Sequence, residues 1–322
     1  MANVATIPQK RKAWDAVRKG VCDTPIRVLI YGAEKVGKST FASGAPSPIF
    51  VGADSGTERL DIARIEPASW DEARSYLRDI AQDKHDYKTL VIDPINWFEP
   101  MLWDALCKTD GSTNIETYGE GFGKGYKVAV GWWREFLFDL EKCWKRGMHV
   151  VITAHAQVKN FKSPDTDSYD RYELAMNEKG AAPIKQWVDA IVFARVETFT
   201  KTEKATKKAK GYSTDRHILL TQPNAAYDAG SRWQLPDELE LSWQDFFDAV
   251  QGDKKRAEEL YAEIGDLLKS LGDDSVTKKL TPYVETNRND SGRLVEVVAK
   301  LQAKLKEKQP NEEKNEKEKV QS

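Results

Sequence analysis

The 322-residue chain has few cysteines, almost no net charge and no long apolar run. Its three cysteines, Cys22, Cys107 and Cys143, lie far apart and form no C-x-x-C pair, which argues against a disulfide framework and a thiolate zinc site. The 49 Lys and Arg nearly balance the 51 Asp and Glu, so any nucleic-acid contact must come from local patches. No stretch approaches the roughly 20 apolar residues of a membrane span, and no apolar segment follows the basic N-terminus. We therefore expect a cytoplasmic protein with no membrane partner.

Short apolar runs alternate with amphipathic helical patterns over most of the chain. Continuous apolar runs are typical of strands that are covered on both faces in a parallel sheet. The clearest helical pattern covers residues 127–144, where large apolar side chains recur at steps of three and four. We predict an α/β fold with a doubly wound, mostly parallel sheet and an antiparallel hairpin at its edge. The predicted parallel strands cover residues 27–31, 48–53, 89–92, 149–153 and 189–196.

Changes in composition divide the chain into four parts. A basic N-terminal segment covers residues 1–24, and the α/β core covers residues 25–252. Leucines and valines at helical spacing predict a small appendage of two helices at residues 253–308. Residues 309–322 are almost entirely polar or charged, so we predict a disordered tail.

A phosphate-binding motif follows the first predicted strand. Residues 32–40 match G-x-x-x-x-G-K-S/T in full. Its glycines let backbone N–H groups converge on phosphate oxygens, and the following helix adds its positive N-terminal end. We expect Lys38 to reach the β- and γ-phosphates of ATP, and the Ser39 hydroxyl to coordinate Mg²⁺. The predicted nucleotide-binding residues are Gly32, Ala33, Glu34, Lys35, Val36, Gly37, Lys38, Ser39 and Thr40.

Two aspartates follow predicted strands, which places them at the carboxyl edge of the sheet, where open α/β sheets bind ligands. Asp93 follows residues 89–92 in the Walker B arrangement and is predicted to hold the metal. Pro94 comes next, so the position directly after Walker B holds no catalytic Glu. Asp54 is the candidate that orients the attacking water. A helix-capping role for Asp54, with Glu58 as second catalytic candidate, stays open.

His155 is the third polar residue at a predicted strand end. We predict that it touches the γ-phosphate and signals its presence to the loop that follows. A histidine with no ligand role is the alternative. His149 is six residues away, about 20 Å along a strand, so the two histidines do not share a metal.

Residues 111–125 contain five glycines, too many for packed structure, and do not satisfy G-x-G-x-x-G, which argues against a dinucleotide site. Two other segments carry residue types that suit single-stranded nucleic acid: residues 156–182 mix aromatic and basic side chains in a long connection, and residues 201–210 are rich in lysine. Aromatic rings stack on bases, while Lys and Arg meet phosphates. A solvated loop or hairpin tip explains these residues equally well. The candidate DNA-binding residues are Lys124, Lys159, Phe161, Lys162, Arg171, Lys207 and Lys208.

The order of these motifs resembles that of the RecA-type recombinase core ATPases, and more closely that of the small phage-encoded members linked to single-strand annealing. The likeness covers residues 25–250, and its carriers include the phosphate loop, Asp93, His155 and the segments that follow them. The resemblance implies a RecA-like sheet, ATP and Mg²⁺ as cofactors, and single-stranded DNA as a partner. It also implies self-assembly into a ring or filament.

The resemblance assigns roles to individual residues as well. Asp54 matches a water-orienting carboxylate that is commonly Glu, and the shorter Asp implies slow turnover. His155 matches the γ-phosphate sensor, and the loops after Walker B and after the sensor match those that hold single-stranded DNA. Relatives often carry a Lys two residues before an Arg that reaches a neighbouring subunit's nucleotide. Here Arg232 has Gly230 at that position, so Arg216 is a second trans-acting candidate.

The leading hypothesis is an Mg²⁺-dependent ATPase that couples nucleotide state to single-stranded DNA binding in phage recombination or strand annealing, in the host-cell cytoplasm. The alternative is a nucleotide-gated switch that acts on a protein partner and hydrolyses ATP incidentally. A small-molecule kinase is a third hypothesis, which the lack of an Arg-rich lid segment disfavours. Salt-dependent binding to single-stranded oligonucleotides, with hydrolysis stimulated by them, separates the first two.

Overall fold

The computed structural model describes residues 24–52, 55–163, 167–202 and 209–320, which form ten strands and eight α-helices. The strands are β1 (Arg27–Gly32), β2 (Pro48–Val51), β3 (Ala63–Ile65), β4 (Thr89–Ile92), β5 (His149–Phe161), β6 (Tyr169–Leu174), β7 (Ala190–Thr202), β8 (Ala209–Leu220), β9 (Gly230–Ser231) and β10 (Glu238–Glu240). The α-helices are α1 (Lys38–Ser43), α2 (Trp70–Gln82), α3 (Phe98–Asp110), α4 (Lys124–Lys145), α5 (Glu178–Trp187), α6 (Trp243–Leu271), α7 (Asp274–Thr286) and α8 (Ser291–Val320). Residues 1–23 of the basic segment, Asp54, Lys207 and Lys208 lie outside the described residues.

All ten strands belong to one sheet, whose main order is β10-β8-β7-β1-β5-β4-β2-β3. The strands from β7 to β3 in that order run parallel, whereas β8 and β10 pair antiparallel at one side. β1 lies at the centre, and all six of its residues are buried. The predicted α/β class is confirmed, with a mostly parallel sheet, antiparallel edge strands and C-terminal helices.

Helices cover both faces of the sheet because successive strand residues point to opposite sides. On one face, Leu29 and Tyr31 belong to a large apolar cluster with α2, α3, α4 and α5. On the other face, Val28 and Ile30 belong to a cluster with Phe41 of α1 and with the first turns of α6. This three-layer arrangement explains why the central strands are apolar without alternation.

Residues 156–182 are not the long structureless connection predicted from the sequence. β5 continues past His155 to Phe161 and pairs with β6 as an antiparallel hairpin, and α5 follows. The physical reason is cross-strand pairing: Phe161 lies opposite Tyr169, and their ring centroids are 5.5 Å apart. From His155 to Phe161 the hairpin extends about 20 Å beyond the carboxyl edge of the parallel strands.

The glycine-rich segment before α4 is more closely packed than its composition predicts. Gly125 is buried in the first turn of α4, where a Cβ atom would lie 2.4 Å from the carbonyl oxygen of Ile115. Glycine is therefore required there for close approach, whereas the turn at residues 119–123 remains on the surface. Helix α4 begins three residues earlier than predicted, at Lys124.

The chain divides into two compact units between Lys254 and Lys255. In the C-terminal unit, the last part of α6, α7 and α8 enclose a separate apolar cluster that includes Ile264 and Leu294. The sequence predicts only two helices here, and α7 is the addition; the Asp273 side chain accepts hydrogen bonds from two N–H groups of its first turn.

Helix α8 runs to Val320 and so includes most of the segment that the sequence predicts to be disordered. This segment is rich in Glu and Lys, which have high intrinsic helix propensity. Among the described residues, no helix combines the length and apolar character that crossing a bilayer requires.

Candidate functional site

The phosphate loop joins β1 to α1 and holds Lys38 at the first residue of the helix. Gly37 has a φ of 110°, a left-handed conformation that glycine adopts without steric cost. Gly32 lies against β7, because a Cβ atom there would be 2.2 Å from the carbonyl oxygen of Ala194. The buried Lys38 donates from Nζ to the carbonyl oxygens of Gly32 at 3.2 Å and Ala33 at 2.7 Å. Its ammonium group is thus held within the loop that would surround the phosphates.

Asp93 lies at the carboxyl end of β4, buried beside β5. The Thr153 hydroxyl donates a short hydrogen bond to Asp93 Oδ1. The second oxygen, Oδ2, is buried and has no hydrogen-bond partner among the described residues. A buried carboxylate oxygen without a partner costs free energy, and carboxylate oxygens are preferred ligands of Mg²⁺. Asp93 therefore fits a magnesium ion or one of its water ligands.

The other ligands of such an ion would have to come from the nucleotide, from water and from Ser39 at the start of α1. Within the described part of the chain, no group of three or more His, Cys, Asp or Glu side chains could hold a metal by itself. Mg²⁺ typically binds through one or two carboxylates together with substrate phosphates and water, which is the donor set available here.

The predicted water-orienting residue, Asp54, lies outside the described residues, so its role stays a prediction. Gly52, two residues before Asp54, is described, and a Cβ atom on it would lie 2.0 Å from the carbonyl oxygen of Asp93. The backbone at Gly52 is therefore packed directly against the backbone of Asp93. Glu58, the second candidate, is exposed in a short 3-10 helix at Ser55–Arg59.

His155 is a residue within β5 and not at its end. It lies in register with Gly32, the first residue of the phosphate loop. Its backbone N–H donates to Oδ1 of Asn96, which follows Asp93 by three residues. His155 thus lies between the phosphate loop, the segment after Walker B and the β5–β6 hairpin. Neither Asn96 nor Thr153 was predicted from the sequence. Thr153 could have been noticed as a polar residue inside an otherwise apolar strand, whereas no pattern indicates Asn96.

A second set of contacts links β1 to the β5–β6 hairpin through Asp228. The Tyr31 hydroxyl donates to the carbonyl oxygen of Asp228 at 2.7 Å and accepts from the Asp228 N–H at 2.8 Å. Burial raises the pKa of Tyr31, so the hydroxyl stays protonated. The Asp228 carboxylate in turn pairs with Lys185 at 2.8 Å and with Arg171 of β6 at 3.3 Å. Burial lowers the pKa of Lys185, but hydrogen bonds to Asp228 and Glu173 outweigh it and leave that pKa raised.

Glu99 connects α3, the helix that follows Asp93, to α5, the helix that follows the β5–β6 hairpin. This buried side chain of α3 accepts hydrogen bonds from the N–H of Asn177, at 3.0 and 3.1 Å, and Asn177 caps α5. Burial raises the pKa of Glu99 to about 7, although the Asn177 N–H and the charge of Lys159 act in the opposite direction. The carboxyl group is therefore partly protonated near neutral pH.

The turn before α4 presents an aromatic side chain to solvent. Five consecutive residues, 119–123, have positive φ, and the fourth of them, Phe122, is 94% exposed. Helix α4 leads back to the start of β5, so this turn lies at the carboxyl edge of the sheet, where the phosphate loop also lies. A Cβ atom on Gly123 would be 4.0 Å from Lys179 Nζ. Lys124 contributes a second cation, 3.6 Å from Glu120.

The hairpin candidates are placed differently from one another. Lys159 and Arg171 are cross-strand neighbours, and the Arg171 guanidinium lies 5.1 Å from the centre of the Phe161 ring. Arg171 also pairs with acidic groups, and Lys159 lies 3.7 Å from Glu178. Lys162 is exposed. The most exposed apolar pair of the hairpin, Val158 and Tyr172, was not among the predicted residues.

Neither trans-acting candidate is an isolated cation. Arg216 of β8 pairs with Glu197, Glu238 and Glu240 on neighbouring strands. Arg232 pairs with Asp189 at 3.0 Å, at the amino end of β7 and thus at the sheet edge opposite the phosphate loop. Each would have to exchange these partners to contact a nucleotide of another subunit.

Comparison with known proteins identifies a domain over most of the chain. The protein-family model described as AAA domain matches residues 24–233, which is more than half of the sequence. The match includes the phosphate loop, Asp93, His155 and the hairpin. A comparison with curated proteins finds no match.

Proposed function

Because the chain belongs to the AAA domain family and so is a nucleotide-binding ATPase of the P-loop type, we propose that it couples the state of bound ATP to the binding of single-stranded DNA. In this proposal Lys38 binds the β- and γ-phosphates, while Ser39 and Asp93 hold Mg²⁺. The bound ion would neutralise charge on the phosphates and polarise the γ-phosphoryl group. Asp54 remains the candidate that orients the attacking water.

The observation that carries the DNA proposal is the turn at residues 119–123. Left-handed φ values cost roughly 1–2 kcal/mol for a non-glycine residue, and both Glu120 and Phe122 adopt them. Strain of this kind accumulates at ligand-binding sites, where the surrounding structure maintains it. An almost fully exposed phenyl ring beside Lys124 and Lys179 supplies a stacking surface and cations, the combination that binds single strands without sequence preference.

Nucleotide and DNA would be coupled through β5. His155 pairs with Gly32 of the phosphate loop, and the strand continues into the hairpin without a break. A change at the γ-phosphate would therefore alter the base of the hairpin directly. The resemblance to RecA-type recombinase core ATPases supports a role in phage recombination or strand annealing, with assembly into a ring or filament.

Phosphate release, measured with and without single-stranded DNA at two ionic strengths, tests the proposal. We expect Lys38→Ala to abolish hydrolysis and single-stranded DNA to stimulate the wild type, more strongly at low salt. A rate of phosphate release that single-stranded DNA leaves unchanged at both ionic strengths would contradict the proposed DNA binding. It would favour a nucleotide-gated switch that acts on a protein partner.

A matched pair of phenylalanine substitutions locates the DNA contact. Phe122→Ala should weaken single-stranded DNA binding at least fivefold, because a lost base–aromatic stack costs about 1–3 kcal/mol. Phe138→Ala is the control, since Phe138 is 60% exposed and lies about 21 Å farther along α4 than Lys124. Equal losses in the two variants would show that Phe122 makes no specific contact.

A further inference from the structure

His217 lies against the phosphate loop, although it is far from it in sequence. Its Nδ1 atom is 2.7 Å from the carbonyl oxygen of Val36, the residue before Gly37. A carbonyl oxygen only accepts hydrogen bonds, so Nδ1 carries the proton and donates. The histidine belongs to β8, which is separated from β1 by β7. No sequence motif points to it, because the contact joins residues 181 positions apart.

His217 and Leu241 together form a support behind the loop. The Leu241 N–H donates to the His217 carbonyl oxygen at 3.0 Å. A Cβ atom on Gly37 would lie 3.1 Å from Leu241 Cδ2 and 4.0 Å from His217 Nδ1. The Val36–Gly37 peptide is therefore in contact on the side that faces β8, and a larger residue at position 37 would meet this support.

The hydrogen bond from His217 fixes the orientation of one peptide plane. In a trans peptide the carbonyl oxygen and the following N–H point in opposite directions. Because the Val36 carbonyl oxygen points toward His217, the Gly37 N–H points away from it. Amide groups of such a loop bind phosphate only when they converge on the concave side. Rotation of this plane would turn a phosphate donor into a repelling carbonyl oxygen.

We propose that His217 is a positioning residue of the nucleotide site, which holds the Val36–Gly37 peptide so that the Gly37 N–H faces a nucleotide phosphate. The proposal rests on the nucleotide binding described above. It assigns to β8 a part in phosphate binding that the loop motif alone does not include. It also gives a reason for a polar side chain at position 217 of β8, beside the phosphate loop.

Three substitutions of His217 test the proposal, because they differ in whether an N–H donor remains at the position of Nδ1. In Asn, Nδ2 is bonded to Cγ, as Nδ1 is in histidine, so His217→Asn keeps a donor in place. In Gln the amide is one methylene farther out, near the position of Nε2, so His217→Gln leaves no donor at the position of Nδ1. We expect His217→Ala and His217→Gln to weaken binding of a fluorescent ATP analogue about fivefold, the effect of one hydrogen bond, and His217→Asn to bind within twofold of wild type.

Two further variants make the outcomes distinguishable. Asp215→Ala, an exposed substitution on the same strand, should bind as wild type does, and Lys38→Ala should lose binding. If Lys38→Ala also binds as wild type, the proposed nucleotide site is wrong and this inference fails with it. If Lys38→Ala loses binding but all three His217 variants retain it, only the role of His217 is refuted. Equal losses in Asn, Gln and Ala variants, with unchanged thermal unfolding, would refute it as well.

Discussion

Thr153 and Asp93 form a buried pair in which the hydroxyl determines the direction of the carboxylate. Thr153 is fully buried in β5, and its donation to Oδ1 leaves Oδ2 as the oxygen without a partner. A single donor on one oxygen would orient the second oxygen for the proposed Mg²⁺ ion, because hydrogen bonds from outer groups hold the ligands of metal sites in place.

Replacing Thr153 by valine, which has nearly the same shape, should therefore reduce metal-dependent hydrolysis. We expect the Mg²⁺ concentration for half-maximal phosphate release to rise at least tenfold, since the loss of such outer partners typically costs 10- to 100-fold in metal affinity. Phosphate release measured across a Mg²⁺ titration is the test. Thr153→Ser keeps the hydroxyl and is the control; equal defects in Val and Ser variants would mean that volume, not the donor, matters.

Glycine is required at position 32 because β7 packs closely against it, independently of any phosphate binding. In Gly32→Ala the new Cβ would meet the Ala194 carbonyl oxygen at 2.2 Å, and both atoms belong to rigid parallel strands. We expect a loss of about 1–3 kcal/mol in the free energy of unfolding, measured by urea denaturation.

Gly131→Ala is the matched control for this substitution. No atom lies within 4 Å of a Cβ built at Gly131, which is inside α4. Alanine there should stabilise the protein by about 0.5–1 kcal/mol, because glycine is a poor helix former. A Gly32→Ala variant as stable as wild type would show that β1 and β7 can separate without cost.

At the level of single residues, the sequence predicts the phosphate loop and Asp93 because each belongs to a local pattern. Thr153, Asn96 and His217 belong to no such pattern. Their roles depend on which distant backbone or side-chain atom lies opposite them, and that is determined by strand order and register.

Among the helices, α3 and α5 are joined through Glu99, and this contact should respond to pH. The folded-state pKa of Glu99 is raised to about 7 by burial, above its ordinary value of 4.5. The folded protein therefore binds this proton more tightly than the unfolded chain. Stability from this group is fully present below pH about 4.5 and is lost as pH rises through about 7.

Glu99→Gln should remove this dependence, because a glutamine stays neutral and its carbonyl oxygen can still accept from the Asn177 N–H. We expect the difference in the free energy of unfolding between the variant and wild type to shift by roughly 2–3 kcal/mol in favour of the variant from pH 5 to pH 8. Urea denaturation at several pH values is the measurement. A difference that stays constant with pH would contradict a raised pKa for Glu99.

The strands and helices of the core were largely predictable, and the hairpin was not. Buried parallel strands such as β1 and β4 are continuous apolar runs, which a sequence displays directly. The β5–β6 hairpin lies beyond the sheet edge, and its polar and apolar residues alternate only weakly. Its stability comes from pairs such as Phe161 with Tyr169, which become visible only once the register is known.

At the scale of the whole molecule, the two units have separate apolar cores. Among the described residues, the clusters on the two faces of the sheet lie between residues 26 and 250, whereas the C-terminal cluster lies between residues 257 and 305. Since the cores share no residue, the loss of packing in one need not unfold the other. Multi-unit chains of this kind commonly unfold in more than one step.

Two isoleucine substitutions of equal size test this independence. Ile264 is buried in the C-terminal cluster, and Ile184 is buried in the cluster that contains α5. Replacing either by alanine removes the same atoms and should destabilise its own unit by about 2–5 kcal/mol. Ile264→Ala should lower one calorimetric transition and leave the affinity for ATP unchanged, because the phosphate loop belongs to the other unit. Ile184→Ala should lower the transition that ATP stabilises. A single transition, shifted equally by both substitutions, would mean that the two units fold as one despite their separate cores.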